Sequence, residues 1–192
     1  QVGEEEGPMN TRETYKPGKT LDAKVTKATA RWTLVMTRDL RHPPALVWEA
    51  MTDPAQLAHW APFEADRNLG TTGPVKLGMP GSPQAASECV VKRAEAPKVL
   101  EYTFGGNEVR WELDPYDGGT RLTLWTIIPP KFIAWGAAGW HICLDVLDHL
   151  LAKDPIGRIV GPEAMKFDWQ RLNTEYAAQL GVETQPFPGG KS

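Results

Sequence analysis

The sequence predicts an α+β domain, an antiparallel meander of short strands covered on one face by a long helix near its C-terminal end. Three observations lead there. Between residues 63 and 128, Gly and Pro punctuate short runs in which apolar and polar residues alternate. Those runs are apolar on one parity: Leu100, Tyr102 and Phe104 oppose Glu101 and Thr103, and Val109, Trp111 and Leu113 oppose Glu108, Arg110 and Glu112. Finally, Trp140, Cys143, Leu144, Leu147, Leu150 and Leu151 fall on one side of a helical wheel, and one-sided strands need such a cover.

The elements follow in order. Residues 1–24 are polar, hold Gly3, Gly7, Pro8, Pro17 and Gly18, and read as a flexible extension. Leu21, Ala23 and Val25 alternate with polar residues and suggest a weak edge strand. Trp32, Leu34 and Met36 mark the first clear strand. Pro44 suits a first helical turn, with Val47, Trp48 and Met51 as an apolar face. Asp53-Pro54 is an N-cap followed by Pro at the first position of a second short helix, which carries Leu57 and Trp60. About six strands come next, with turns at Gly70–Pro74, Gly105-Gly106 and Asp114–Gly119 and a loop over Met79–Gln84. After the long helix, Asp154–Gly161 is an interruption, and Pro162 opens an extra helix with a Met165, Trp169, Leu172, Tyr176 and Leu180 stripe. Gly181 is its natural stop. One domain over 25–182 and a flexible tail over 183–192 result.

Composition narrows the function. The 192 residues can bury roughly 70% of their unfolded surface, enough for a core without disulfides or metals. With 21 basic and 24 acidic residues there is no basic excess for a phosphate backbone, which argues against nucleic acid. The longest apolar stretch, Phe132–Trp140, is too short for a membrane span. Two cysteines suggest no disulfide framework, so a cytoplasmic location is the expectation. Eight Trp, more than Phe or Tyr, are the unusual entry in the composition.

Several segments carry a family resemblance. They are HPPALVWEAMTDPAQLAHW, VLEYTFGGNEVRWELDPYDGGTRLTLW and AAGWHICLDVLDHLL. Together they resemble the family of homologues of the activator of heat-shock-protein-90 ATPase, within the SRPBCC superfamily of START lipid-transfer and birch-pollen-allergen domains. The likeness spans Trp32 to Val182; APFEADRNLGTTGPVKL and DPIGRIVG further resemble a bacterial single-domain subgroup. It implies a helix-grip fold, a curved antiparallel sheet wrapped around the long helix. It also implies a cavity between sheet and helix, where relatives hold apolar molecules.

By parity or position, Trp60, Phe63, Tyr102, Phe104, Trp111, Leu124, Trp140 and Leu144 point between sheet and helix and are the candidate ligand-binding residues. The alternative is an aromatic core with little void. An empty cavity of about 300 Å³ costs on the order of 7 kcal/mol, comparable to a domain's whole stability, so the space is either occupied or closed. Trp125 and Ile127 fall on the outer face, where the extra helix or a second copy would cover them. His141, Asp145 and His149 read as a solvated helix face, not a metal site. Cys89 and Cys143 read as buried small residues. Inward polar candidates reduce to Tyr102, His59, Arg67 and Thr126, thin for an enzyme. The expectation is a binding module for a small apolar or aromatic molecule, with no catalytic constellation, no metal and no cofactor. A homodimer is possible. A chaperone-ATPase-regulating interaction protein, or an aromatase/cyclase- or hydrolase-like enzyme, are the alternatives; the activator proper resembles this chain only in its C-terminal domain.

Overall fold

The structure is a computed structural model that describes residues 11–29 and 31–186. After a single helical turn, α1 (Thr11–Thr14), come β1 (Asp22–Lys27), β2 (Trp32–Leu40), α2 (Pro44–Thr52), α3 (Pro54–Leu57) and β3 (Glu64–Ala65). The meander continues through β4 (Gly73–Met79), β5 (Ser82–Glu95), β6 (Val99–Phe104), β7 (Asn107–Tyr116) and β8 (Gly119–Ile128). The long helix α4 (Ile133–Leu151) and α5 (Trp169–Leu180) close the chain. All strands join one antiparallel sheet in the order β1-β2-β8-β7-β6-β5-β4-β3. Sheet and long helix together make the helix-grip fold.

Local chemistry sets these boundaries. The Asp53 side chain accepts a hydrogen bond from Ala55 N–H at 3.1 Å, capping α3 as its Asp-Pro sequence predicts. Asp117-Gly118 and Gly105-Gly106 both have positive φ, which two-residue hairpin loops need to match the twist of their strands. Tyr116 therefore pairs with Gly119 and Phe104 with Asn107. The expected loop over Met79–Gln84 shrinks to a tight turn, because Met79 already pairs with Ser82.

Four expectations change at the periphery. The extra helix does not begin at Pro162: Gly161–Phe167 is 3-10 helical, and Asp168, at φ 58°, separates it from α5. The α5 stripe does not cover Trp125 and Ile127. It lies on the back of α4, where Trp169, Leu172 and Tyr176 are buried, and Trp169 meets Trp135 of α4 edge-on at 6.1 Å. His141 and Asp145, expected to face solvent, are buried as well, His141 against Tyr176 of α5 and Asp145 beneath Tyr15 and Arg38. Lastly, the described part of the stretch expected as an extension packs onto the domain. Tyr15 is buried, Arg171 donates to the Pro17 and Gly18 carbonyls, and β1 begins at Asp22, ahead of the expected domain start. Residues 1–10 and 187–192 lie outside the described residues; of the expected tail, the Gln185 carbonyl accepts from Asn173 Nδ2.

Candidate functional site

Between sheet and α4 the expected aromatic residues meet, and they meet each other. Trp111 and Trp140 are edge-to-face at 5.3 Å, Trp60 and Trp111 at 6.4 Å, and Phe63 and Tyr102 at 5.7 Å. Trp60 donates its indole N–H to the Ala50 carbonyl and Trp111 donates to the Tyr102 hydroxyl at 3.0 Å. Satisfied N–H groups and edge-to-face rings are what dense aromatic packing requires. Trp60, Phe63, Tyr102, Trp111, Leu124 and Leu144 are all buried in this core. Burial pushes the Tyr102 hydroxyl pKa well up, so it stays protonated.

Phe104 and Trp140 reach further, to an open cleft of about 270 Å³ on the flank of α4. Its floor is α4 itself, through Gly136, Gly139, Trp140 and Cys143. Ile159, Val160, Gly161 and Ala164, from the segment between α4 and α5, form a roof. Pro62, Met79 and Phe104 make the rim, and Trp135 and Trp169 the end wall. No charged side chain lines it. The floor is made by two glycines with different causes. A Cβ on Gly136 would lie 2.7 Å from Ile128 Cδ1, so packing explains that residue. A Cβ on Gly139 would meet nothing within 4 Å. A helix-interior glycine costs about 1 kcal/mol relative to alanine, and here the vacated volume belongs to the cleft. Burial raises the Cys143 thiol pKa to about 12, which makes it a poor nucleophile.

Behind α4 lies a different environment, a polar pocket of about 290 Å³. Asp145 accepts from the Tyr15 hydroxyl at 2.5 Å and from Arg38 at 2.5 Å, with His141 Nε2 at 3.3 Å. Arg38 also reaches Asp148 at 3.3 Å. The Tyr176 hydroxyl accepts from Leu21 N–H at 2.8 Å and lies 2.7 Å from His141 Nδ1. Tyr176 and Asp145 thus hold the two ring nitrogens of His141 between them. Burial works against the Asp145 charge, but His141, Arg38 and Tyr15 outweigh it and hold the carboxyl below its ordinary range. Burial and the neighbouring Asp145 carboxylate push the Tyr15 hydroxyl far upward. These groups satisfy one another.

The outer sheet face carries a concavity of about 590 Å³ between Trp125, Ile127 and the ladder of Glu101, Arg110 and Glu112. Arg110 pairs with Glu101 and Glu112 and stacks over Trp125 at 5.6 Å. Of the expected inward polar residues, Thr126 is buried and His59 exposed, while Arg67 ties its own loop to the Pro74, Asn68 and Gly73 carbonyls. Cys89 and Cys143 are both buried and free. Among the described residues, no group of three His, Cys, Asp or Glu is placed to hold a metal ion, and no helix is long and apolar enough to cross a membrane.

Sequence reasoning missed the roof and the polar brace. The lone aromatic Tyr15 in a polar stretch was a signal for the brace, and the apolar pairs of the inter-helix segment, Ile156 and Ile159-Val160, were one for the roof.

A curved antiparallel sheet gripping a long helix, with a filled aromatic core and an apolar cleft at its flank, defines a helix-grip domain of the SRPBCC superfamily. Residues 41–152 match the family described as Activator of Hsp90 ATPase homolog 1-like protein, and the chain belongs to it. No curated protein matches the chain. Among solved structures, a conserved protein of unknown function from Enterococcus faecalis is 19% identical, with a TM-score of 0.65 over 82% of this chain and 90% of its own. CalU16 from Micromonospora echinospora is 22% identical, with a TM-score of 0.62 over 83% of this chain and 98% of its own. An AHSA1-like protein from Aeromonas hydrophila is 20% identical, with a TM-score of 0.52 over 63% and 92%. At such identities the likeness speaks for the fold.

Proposed function

We propose that the protein binds a small, uncharged, apolar or aromatic molecule, and that the flank cleft holds it. The observation that carries this reading is the cleft floor at Gly139, where the helix gives up stability and, among the described residues, no side chain uses the space. The lining favours the same ligand class. Aromatic and aliphatic walls without a charged group reward loss of water from an apolar surface and penalise burial of a charge. A volume of about 270 Å³ lies just below the usual range for drug-sized ligands, which suits a molecule of two or three rings. Of the residues expected to touch a ligand, Phe104 and Trp140 serve the cleft directly. Trp60, Phe63, Tyr102, Trp111, Leu124 and Leu144 support it as the packed wall behind. The outer face is a poorer candidate for an apolar molecule because its concavity is lined by paired charges, Arg110 with Glu101 and Glu112 and Lys92 with Glu108.

The test is a titration of the intact chain with N-phenylnaphthylamine, a neutral aromatic probe that brightens when desolvated and accepts energy from tryptophan. One saturable site is expected, with quenching of the indole emission. Gly139→Leu, which fills the cleft from its floor, should remove the site while the circular-dichroism spectrum is unchanged. Absence of saturable binding, or binding indifferent to this substitution, would overturn the assignment.

A further inference from the structure

We infer that the N-terminal strap, Thr11–Leu21, holds the roof of the cleft closed and thereby sets the affinity of a site it does not touch. The inference rests on the ligand reading above for its affinity arm and on the roof geometry alone for its structural arm. None of the strap residues lines the cleft. Of the roof residues, Ile159 and Val160 end an irregular run, 154–160, and Gly161 and Ala164 lie in the 3-10 helix that follows. The backbone carbonyls of the irregular run need partners from elsewhere in the molecule.

One side chain serves three of them. Arg12 Nη1 donates to the carbonyls of Ile156 at 2.9 Å, Gly157 at 3.0 Å and Arg158 at 3.2 Å. Its Nη2 lies 3.5 Å from Glu163, and its guanidinium stands 5.3 Å from the Phe167 ring centroid. The same guanidinium thus grips the segment on both sides of its cleft-lining residues. From beneath, Arg158 donates to the Leu57 and Phe63 carbonyls and pairs with Glu64, tying the roof to the turn that bears the rim residue Pro62. The strap is fixed in turn by Tyr15 to Asp145 and by Arg171 to its Pro17 and Gly18 carbonyls. A roof with few ladder hydrogen bonds opens locally at low cost, and a clamp that binds only the closed form biases it shut. A ligand that needs the roof in place then loses affinity in proportion to the fraction open, and by linkage its binding tightens the strap.

The experiment uses the full chain and Arg12→Met, which keeps the stem and removes the donors. Without ligand, amide hydrogen exchange at Arg158–Ala164 should rise about fivefold or more, with β6–β8 unchanged, and the Kd for N-phenylnaphthylamine should rise by a similar factor. Tyr15→Phe, which frees the strap from its other anchor, should accelerate the same roof amides. In the parent chain, saturating probe should slow tryptic cleavage after the exposed Lys19. Roof exchange that does not change in either variant, exchange that rises equally across the sheet, or faster roof exchange with an unchanged Kd would each overturn the inference. Should the parent chain bind no probe, the ligand reading falls, and the exchange result alone decides whether strap and roof are coupled.

Discussion

The two sides of α4 are built on opposite principles. Toward the sheet, Trp60, Trp111 and Trp140 pack edge to face, and the indole N–H groups of Trp60 and Trp111 are met by the Ala50 carbonyl and the Tyr102 hydroxyl. Toward α5 and the strap, Asp145 gathers Tyr15, Arg38 and His141 from three other parts of the chain or turns of the helix. The front contributes stability through area removed from water, which is non-directional. The back contributes specificity, because a buried carboxylate is tolerable only when every partner arrives in place. One helix is therefore held by packing on one side and by geometry on the other.

Trp111→Ala should separate the two most sharply. It opens a void in the tightest part of the front and leaves the Tyr102 hydroxyl without its donor, so a loss of about 4 kcal/mol is expected by urea denaturation. Its polar counterpart is Asp145→Ala, expected to cost about 3 kcal/mol by stranding Arg38 and Tyr15. Only the back should depend on pH. Because the folded chain holds the Asp145 carboxyl below the ordinary 3.8, its contribution is complete above that value and is lost as pH falls through the folded-state pKa. Thermal unfolding of the parent chain and Asp145→Asn should therefore converge in acid, whereas Trp111→Ala should stay equally destabilised at every pH. Parallel pH profiles for the two variants would erase the distinction.

Tyr15→Phe is a smaller probe of the back alone, worth about 1.5 kcal/mol for one hydrogen bond to a charged acceptor. Combined with Asp145→Asn it should cost less than the sum, since each change removes the same bond; full additivity in a double-mutant cycle would mean that the contact contributes nothing.

The contrast also governs what could be read from the sequence. The front was legible because period-2 parity and helical spacing are local signals: Tyr102, Trp111 and Leu144 each sit where their own element points them. Trp125 and Ile127 were likewise placed on the outer face. The back was not legible, because its logic is non-local. Tyr15 stands 130 residues from Asp145 and Tyr176 stands 35 from His141, so no window contains both partners. The extra helix was one of two covers open for Trp125 and Ile127, and His141 and Asp145 read as solvated, because nothing local shows that α5 and the N-terminal segment return to the back of α4. There Tyr176 covers His141, and Tyr15 covers Asp145. The cleft fell between these cases. Phe104 and Trp140 could be named from parity, but the roof comes from an irregular segment with no period to read.

The smallest expected effect concerns the two glycines of the α4 floor, and it is the one that separates packing from binding. At Gly136 an added methyl meets Ile128 Cδ1 at 2.7 Å, so alanine there must displace a core side chain and should gain little or lose stability. At Gly139 the methyl enters open space, and alanine should stabilise the helix by about 1 kcal/mol. The same methyl intrudes on the cleft. Gly139→Ala is thus expected to raise Tm while weakening N-phenylnaphthylamine binding, a pairing that general damage to the fold cannot produce. A higher Tm with undiminished affinity would show that the helix tolerates glycine here for a reason other than a ligand. A lower Tm would show that the space above Gly139 is filled in solution. The opposite signs at one atom of one helix make the substitution informative despite its size.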